Sequence, residues 1–129
     1  GNVMFLGKIT DRETIKALFC RSKLFLFPSM YDANSLVQNE AASQSIPTVF
    51  MEGAVTASAV TDGVNGFIAP ATAEGYAAKI EAVLSDGAQY KRVAEGAKSD
   101  LYRTWDDAVE ELKCEYRRLV SENADKKRK

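Results

Sequence analysis

"FPSMYDANSLVQNEAASQSIPTVF", residues 27–50, opens as an apolar strand and breaks at Pro28 into a short polar loop. It then re-forms as a helix that runs into a second apolar stretch. Two continuous apolar strands joined through a helix are the signature of a parallel sheet, because parallel neighbours need a crossover and are covered on both faces. The same stretch sets Asp32 in the loop and Glu40 inside the helix, a carboxylate on each side of one strand-to-helix junction.

The flanks continue the alternation. "NVMFLG" (2–7) predicts a buried strand. "TDRE" (10–13) has the Thr-x-x-Glu spacing of a capping box, so a helix is expected from Asp11, with Ile15, Leu18 and Phe19 on its apolar face. "KLFLFPS" (23–29) predicts a strand covered on both faces, and "PTVFME" (47–52) predicts a third. "TDGVNGFIAP" (61–70) reads as a turn at Gly63, Asn65 and Gly66 feeding a fourth short strand. Helical spacing then places Tyr76, Ile80, Val83 and Leu84 on a helix over 73–85, and Tyr90, Val93, Ala97 and Leu101 on another over 88–102. A last helix starts at "TWDD" and carries Val109, Leu112, Tyr116, Leu119 and Val120, with Trp105 and Tyr116 expected in core packing.

The expected fold class is α/β, a Rossmann-like parallel sheet with flanking helices in one domain over 1–129. The basic tail 122–129 is expected to fray. Four strands make a small sheet for a doubly wound fold, which predicts a piece of something larger.

Composition narrows the function classes. Apolar residues make up 46% and charged residues 27%, with a net charge of -1, so no electrostatic case for nucleic acid exists. No apolar run approaches the roughly 20 residues that cross a bilayer, and no signal peptide is present. A cytoplasmic location follows, with membrane contact at most peripheral at the inner face. There is no histidine, which excludes an imidazole base or a His-ligated metal within these residues. Cys20 and Cys114 are expected as free, buried thiols.

Ligands of open parallel sheets collect where strand ends meet helix starts. Asn34 or Ser35 would cap the helix beginning near Leu36, leaving the amides of Leu36, Val37 and Gln38 facing outward from a positive helix end. Such an end suits a phosphate. Glu40, roughly 7–8 Å along the axis, could accept hydrogen bonds from a vicinal diol such as a ribose. Asp32 could accept from the hydroxyls of a second sugar. Phosphate between two diols describes a nucleotide-diphosphate sugar. Spacing alone also admits Asp32 as a turn former and Glu40 as a solvated helix acid.

The stretch resembles the signature of the retaining glycosyltransferases of group 1 (GT4). Their pattern runs strand, Pro-Ser, two residues, Glu-x7-Glu enclosing Gly-Phe-Gly-Leu-Val, then Ala-x-Ala-x-Gly-x-Pro and a strand. Pro28, Ser29, Leu36, Val37, Glu40, Ala41 and Pro47 fall in register with it. "VMFLGKITDRETIKALFCRSKLFLFPS", "VTDGVNGFIAP" and "TWDDAVEELKCEYRRL" resemble the family's flanking segments, so the likeness covers essentially the whole chain.

The resemblance implies the later part of the C-terminal, donor-binding domain of a GT-B enzyme, whose N-terminal acceptor domain lies outside these residues. It implies that Asp32 holds hydroxyls of the donor sugar and Glu40 the ribose. The backbone at Asn34, Ser35, Leu36 and Val37 would hold the diphosphate, and Lys8 and Ile9 would border the base. No cofactor is implied; a UDP-sugar or GDP-sugar is the donor substrate. The parent would be a hexosyltransferase acting on a glycan, lipid or polysaccharide precursor, and these residues alone would be inactive.

Departures from the pattern are specific. Asp32 is one methylene shorter than the family's Glu. Ala33-Asn34-Ser35 replace Gly-Phe-Gly, and Ser58 stands near the acid that follows the third strand. The basic residues that neutralise the leaving diphosphate belong upstream of Gly1. A non-catalytic nucleotide-sugar-binding or interaction module on the same scaffold is the alternative, and a sugar-nucleotide epimerase a weaker one. With upstream strands of the family missing beside 23–29, altered strand pairing or self-association through the exposed sheet edge is expected.

Overall fold

Three short strands form the sheet of the computed structural model, which describes residues 2–32 and 36–126. The elements run α1 (Arg12–Arg21), β1 (Phe25–Phe27), α2 (Leu36–Ser43), β2 (Thr48–Met51), a 3-10 turn (Val55–Ala57), β3 (Phe67–Ala69), α3 (Ala73–Ser85) and α4 (Gly87–Gly96). A π-helical turn (Ala97–Leu101) and α5 (Trp105–Lys126) complete the order. All pairing is parallel in the order β1-β2-β3, with Leu26 opposite Val49 and Val49 opposite Phe67. This is the expected Rossmann-like arrangement.

β2 is central and carries the core. Val49 and Phe50 are both fully buried and point to opposite faces, as residues adjacent in a strand must. On one face Val49, Phe67 and Ala69 meet Val83 of α3 and Val93 of α4, with Leu24, Tyr76 and Tyr90 packed around them. Full burial of side chains this size contributes about 1.5–3 kcal/mol each. The Tyr76 hydroxyl donates to the Val49 carbonyl at 2.6 Å and accepts from the Phe27 amide at 3.0 Å, joining β1 to β2 from above. Burial pushes that hydroxyl's pKa up, so it remains a donor at neutral pH.

Caps set several boundaries. α1 begins one residue later than the spacing predicts, because Asp11, rather than Thr10, is the N-cap and accepts from the Thr14 amide at 2.8 Å. Thr104 and Asp107 form a reciprocal box at the head of α5: Thr104 N–H donates to Asp107 Oδ2 and Asp107 N–H to Thr104 Oγ1. The loop before β3 is organised by Asn65, whose Oδ1 accepts from Thr61 N at 2.8 Å.

α2 ends in a Schellman motif: Ser45 N–H donates to Ala42 O and Ile46 N–H to Ala41 O. Ser45 sits there with φ 57°, at the position where the Ala-x-Ala-x-Gly-x-Pro pattern has its glycine. A serine in this left-handed conformation is strained in a way glycine is not.

Five expectations are corrected. Residues 2–7 are not a strand: they run as irregular chain, with Phe5 94% exposed, because no strand lies beside them to take their backbone hydrogen bonds. The strand expected over 23–29 shrinks to Phe25–Phe27 and is an edge, with Leu26 half exposed rather than covered. Trp105 and Tyr116 lie outside the core, Trp105 being 78% exposed, because α5 presents its apolar stripe to solvent. Cys20 and Cys114 are free but exposed. The helix expected over 88–102 is α4 followed by the π-helical turn.

Candidate functional site

β1 stops at Pro28, and the chain passes through Ser29–Asp32 above the C-terminal edge of the sheet. The loop is tied down there, since Met30 O accepts from Val55 N at 3.1 Å. α2 then opens at Leu36. The N–H groups of Leu36, Val37 and Gln38 belong to its first turn and so lack acceptors within the helix. The side chains of Leu36 and Val37 are exposed. Asp32 is exposed as well. Asn34 and Ser35 lie outside the described residues, as do residues 127–129 of the tail, while 122–126 continue α5.

Glu40 lies on the body of α2 and is met by Arg12 from the first turn of α1: Arg12 Nη1 donates to Glu40 Oε1 at 2.8 Å. The pair borders a cleft of about 230 Å³ between α1 and α2, lined also by Ile15, Lys16, Phe19 and Ser43. Lys8 and Ile9 immediately precede α1, Lys8 exposed and Ile9 half-buried.

A second cleft, of about 250 Å³, opens on the other flank of α2 and is lined by Leu36, Gln38, Asn39, Arg103, Thr104 and Trp105. A third, of about 400 Å³, adjoins it and is lined by Gln38, Thr56, Ser58, Asp100 and Arg103 among others. Thr56 is 7% exposed, and its Oγ1 has no hydrogen-bond partner among the described residues. The site residues read from sequence are thus distributed: Leu36 borders one cleft, Glu40 another, and Asp32, Val37, Lys8 and Ile9 line none of the three.

Two residues, Asn39 in α2 and Arg103 ahead of α5, gave no signal in the sequence. Asn39 clamps the backbone of Arg103 at both ends, accepting from its N–H at 2.8 Å and donating to its carbonyl at 3.0 Å. That clamp brings the Arg103 cation, which pairs with Glu111, to the flank of the helix whose head was expected to lack any cation from this chain. The contact spans 64 positions. No local pattern announces it. Among the described residues no group of His, Cys, Asp and Glu is placed to hold a metal ion, and no helix is long and apolar enough to cross a membrane.

Comparisons with known proteins agree on one family. The model described as "Glycosyl transferases group 1" matches residues 1–100. An uncharacterized glycosyltransferase of Methanocaldococcus jannaschii is 28% identical over 112 residues, covering 84% of this chain and 28% of its own length. Among solved structures, the C-terminal domain of a glycosyl transferase group 1 family protein from Francisella tularensis superposes with a TM-score of 0.64 at 19% identity, over 74% of this chain and 49% of that one. Sucrose-phosphate synthase from Thermosynechococcus elongatus superposes with a TM-score of 0.74 at 22% identity, over 92% of this chain and 30% of that one. These two likenesses establish the fold, that of the C-terminal Rossmann-like domain of GT-B proteins, and the chain spans less than half the length of each relative. With the family model matched over residues 1–100, the chain belongs to the group 1 glycosyl transferases.

Proposed function

We propose that the chain is the donor-binding part of a retaining hexosyltransferase. In this reading a sugar passes from a UDP-sugar or GDP-sugar to a glycan, lipid or polysaccharide precursor, in the cytoplasm or at the inner face of the membrane. The observation that carries it is the placement of the Asp32-to-Glu40 segment. Ser29–Asp32 and the first turn of α2 stand at the C-terminal edge of a parallel sheet, where such folds take ligands, with Asp32 and Glu40 in register with the family's Glu-x7-Glu pattern.

The roles follow from the chemistry. As the nucleotide diphosphate departs, the anomeric carbon becomes oxocarbenium-like, and catalysis depends on stabilising the leaving charge and holding the acceptor in place. Amides of Asn34, Ser35, Leu36 and Val37 face the diphosphate. Asp32 accepts from sugar hydroxyls, Glu40 from the ribose, and Lys8 and Ile9 border the base. The cations that neutralise the leaving diphosphate belong upstream of Gly1 and the acceptor site to the N-terminal domain of the parent, so the chain alone binds donor weakly and turns nothing over. Turnover by residues 1–129 alone would overturn that last point.

The decisive assay is in the full-length parent. Asp32→Ala and Glu40→Ala should abolish transfer while circular dichroism stays unchanged. Full activity in both variants would sink the reading. Ser58, at the position of a family acid, favours the non-catalytic binding module as the second reading, and a parent that binds UDP-sugar without turnover would select it. The unpaired edge of β1 and the exposed apolar run Val3 to Leu6 also favour self-association, which light scattering would detect; a monodisperse monomer counts against it.

A further inference from the structure

Glu40 is bound in the folded chain, and by a residue that no motif marks. Arg12 reaches it from a different helix, across 28 positions of sequence. Neighbouring polar groups are engaged elsewhere: Ser43 Oγ donates to the Glu40 carbonyl, Gln44 Nε2 to Ser43 Oγ, and Cys20 Sγ to Gln44 Oε1. Among the described residues Arg12 is therefore the one side chain that holds the Glu40 carboxylate, and it holds a single oxygen.

Burial is unequal. The Arg12 side chain is 83% exposed and that of Glu40 33%. Glu40 is the more buried member of the pair. A carboxylate held through Oε1 has fewer orientations open to it and keeps Oε2 for a further donor. Arg12 also begins the helix that directly follows Lys8 and Ile9, so it couples the segment assigned to the base with the acid assigned to the ribose.

We propose that Arg12 is a positioning residue for Glu40, orienting its carboxylate so that the free oxygen accepts from the ribose hydroxyls of the nucleotide. The inference rests on the donor-site reading given above. Arg12 touches no ligand in this scheme and acts through Glu40 alone.

The test is a comparison of ribose and deoxyribose nucleotides by calorimetric titration of the full-length parent. UDP and GDP are each set against the 2′-deoxy counterpart at millimolar concentration. Wild-type chain should prefer the ribonucleotide. Arg12→Ala should lower that preference about two- to five-fold, the size expected for an exposed charge pair, and Arg12→Lys should restore part of it. The melting temperature of Arg12→Ala should stay close to wild type. If Glu40→Ala erases the preference while Arg12→Ala leaves it intact, Arg12 merely ties α1 to α2 and the proposal fails alone. If Glu40→Ala has no effect, or wild-type chain shows no preference or no binding, the donor-site reading fails and takes this proposal with it.

Discussion

The stretch from Ala41 to Ala97 and the helices on either side of it, α1 and α5, are built from similarly amphipathic sequence, yet their fates differ. Between Ala41 and Ala97 lies the buried core, with Val49, Phe50 and Val93 sealed from solvent. α1 buries no residue at all, and α5 shows Trp105, Leu112 and Tyr116 to water. Helical periodicity describes which residues share a face. Whether that face is covered depends on what stands opposite it, and only the middle of the chain has β2 and β3 to pack on.

The sharpest way to break this contrast is to cut into both regions with the same kind of truncation. Phe50→Ala should cost about 3–5 kcal/mol and leave little folded chain in a urea titration, since the cavity lies in the central strand. Gly96→Ala attacks the same region from its edge. A Cβ there would stand 2.1 Å from the Val64 carbonyl oxygen, a backbone atom that cannot swing aside, so a loss of about 1–3 kcal/mol is expected by the same measurement.

A substitution of opposite sign probes the strain at the end of α2. Ser45→Gly should raise stability by about 1 kcal/mol, because φ 57° costs serine what it does not cost glycine. An unchanged midpoint would mean that the strain is relieved elsewhere. Trp105→Ala, by contrast, should move the midpoint by no more than about 0.5 kcal/mol despite removing the largest side chain in the molecule. A large loss from that change would show that α5 is covered in solution.

The smallest expected effect is one of pH, and it belongs to the outer helices. Hydrogen bonds from Thr14 and Thr104 hold the carboxyls of Asp11 and Asp107 below their ordinary value of 3.8. For a carboxyl depressed in the folded state, the stabilisation is fully present above the unfolded value and fades as pH falls through the folded one. Helix content at α1 and the head of α5 should therefore hold steady from neutral pH down to about 4 and decline only below it. Amide exchange at Thr14 and Thr104, whose N–H groups donate to these carboxyls, would follow the decline; loss already near pH 5 would rule these caps out as its cause.

Much of the architecture is legible from local pattern. The turn at Gly63 and the span of α3 follow from residues within a few positions of one another, and so does the capping pair Thr104 and Asp107. The start of α2 at Leu36 is legible for the same reason, since the loop-to-helix change in the sequence is local. Arg12 and Arg103 are not. Each reaches α2 from a distant element, and neither carries a local signature. Ser45 could have been read, since it stands where the family pattern has a glycine.

The parallel class, the succession of β1, α2, β2 and β3, and the span of α3 were determined by sequence alone, because apolar period and caps act over a few residues. Tertiary structure alone decided that 2–7 is no strand, that α5 shows its stripe to water, and that Glu40 is held by Arg12. Each of those outcomes depends on which surface meets which, and a strand without a neighbour or a helix face without an opposing layer has nothing to bury against.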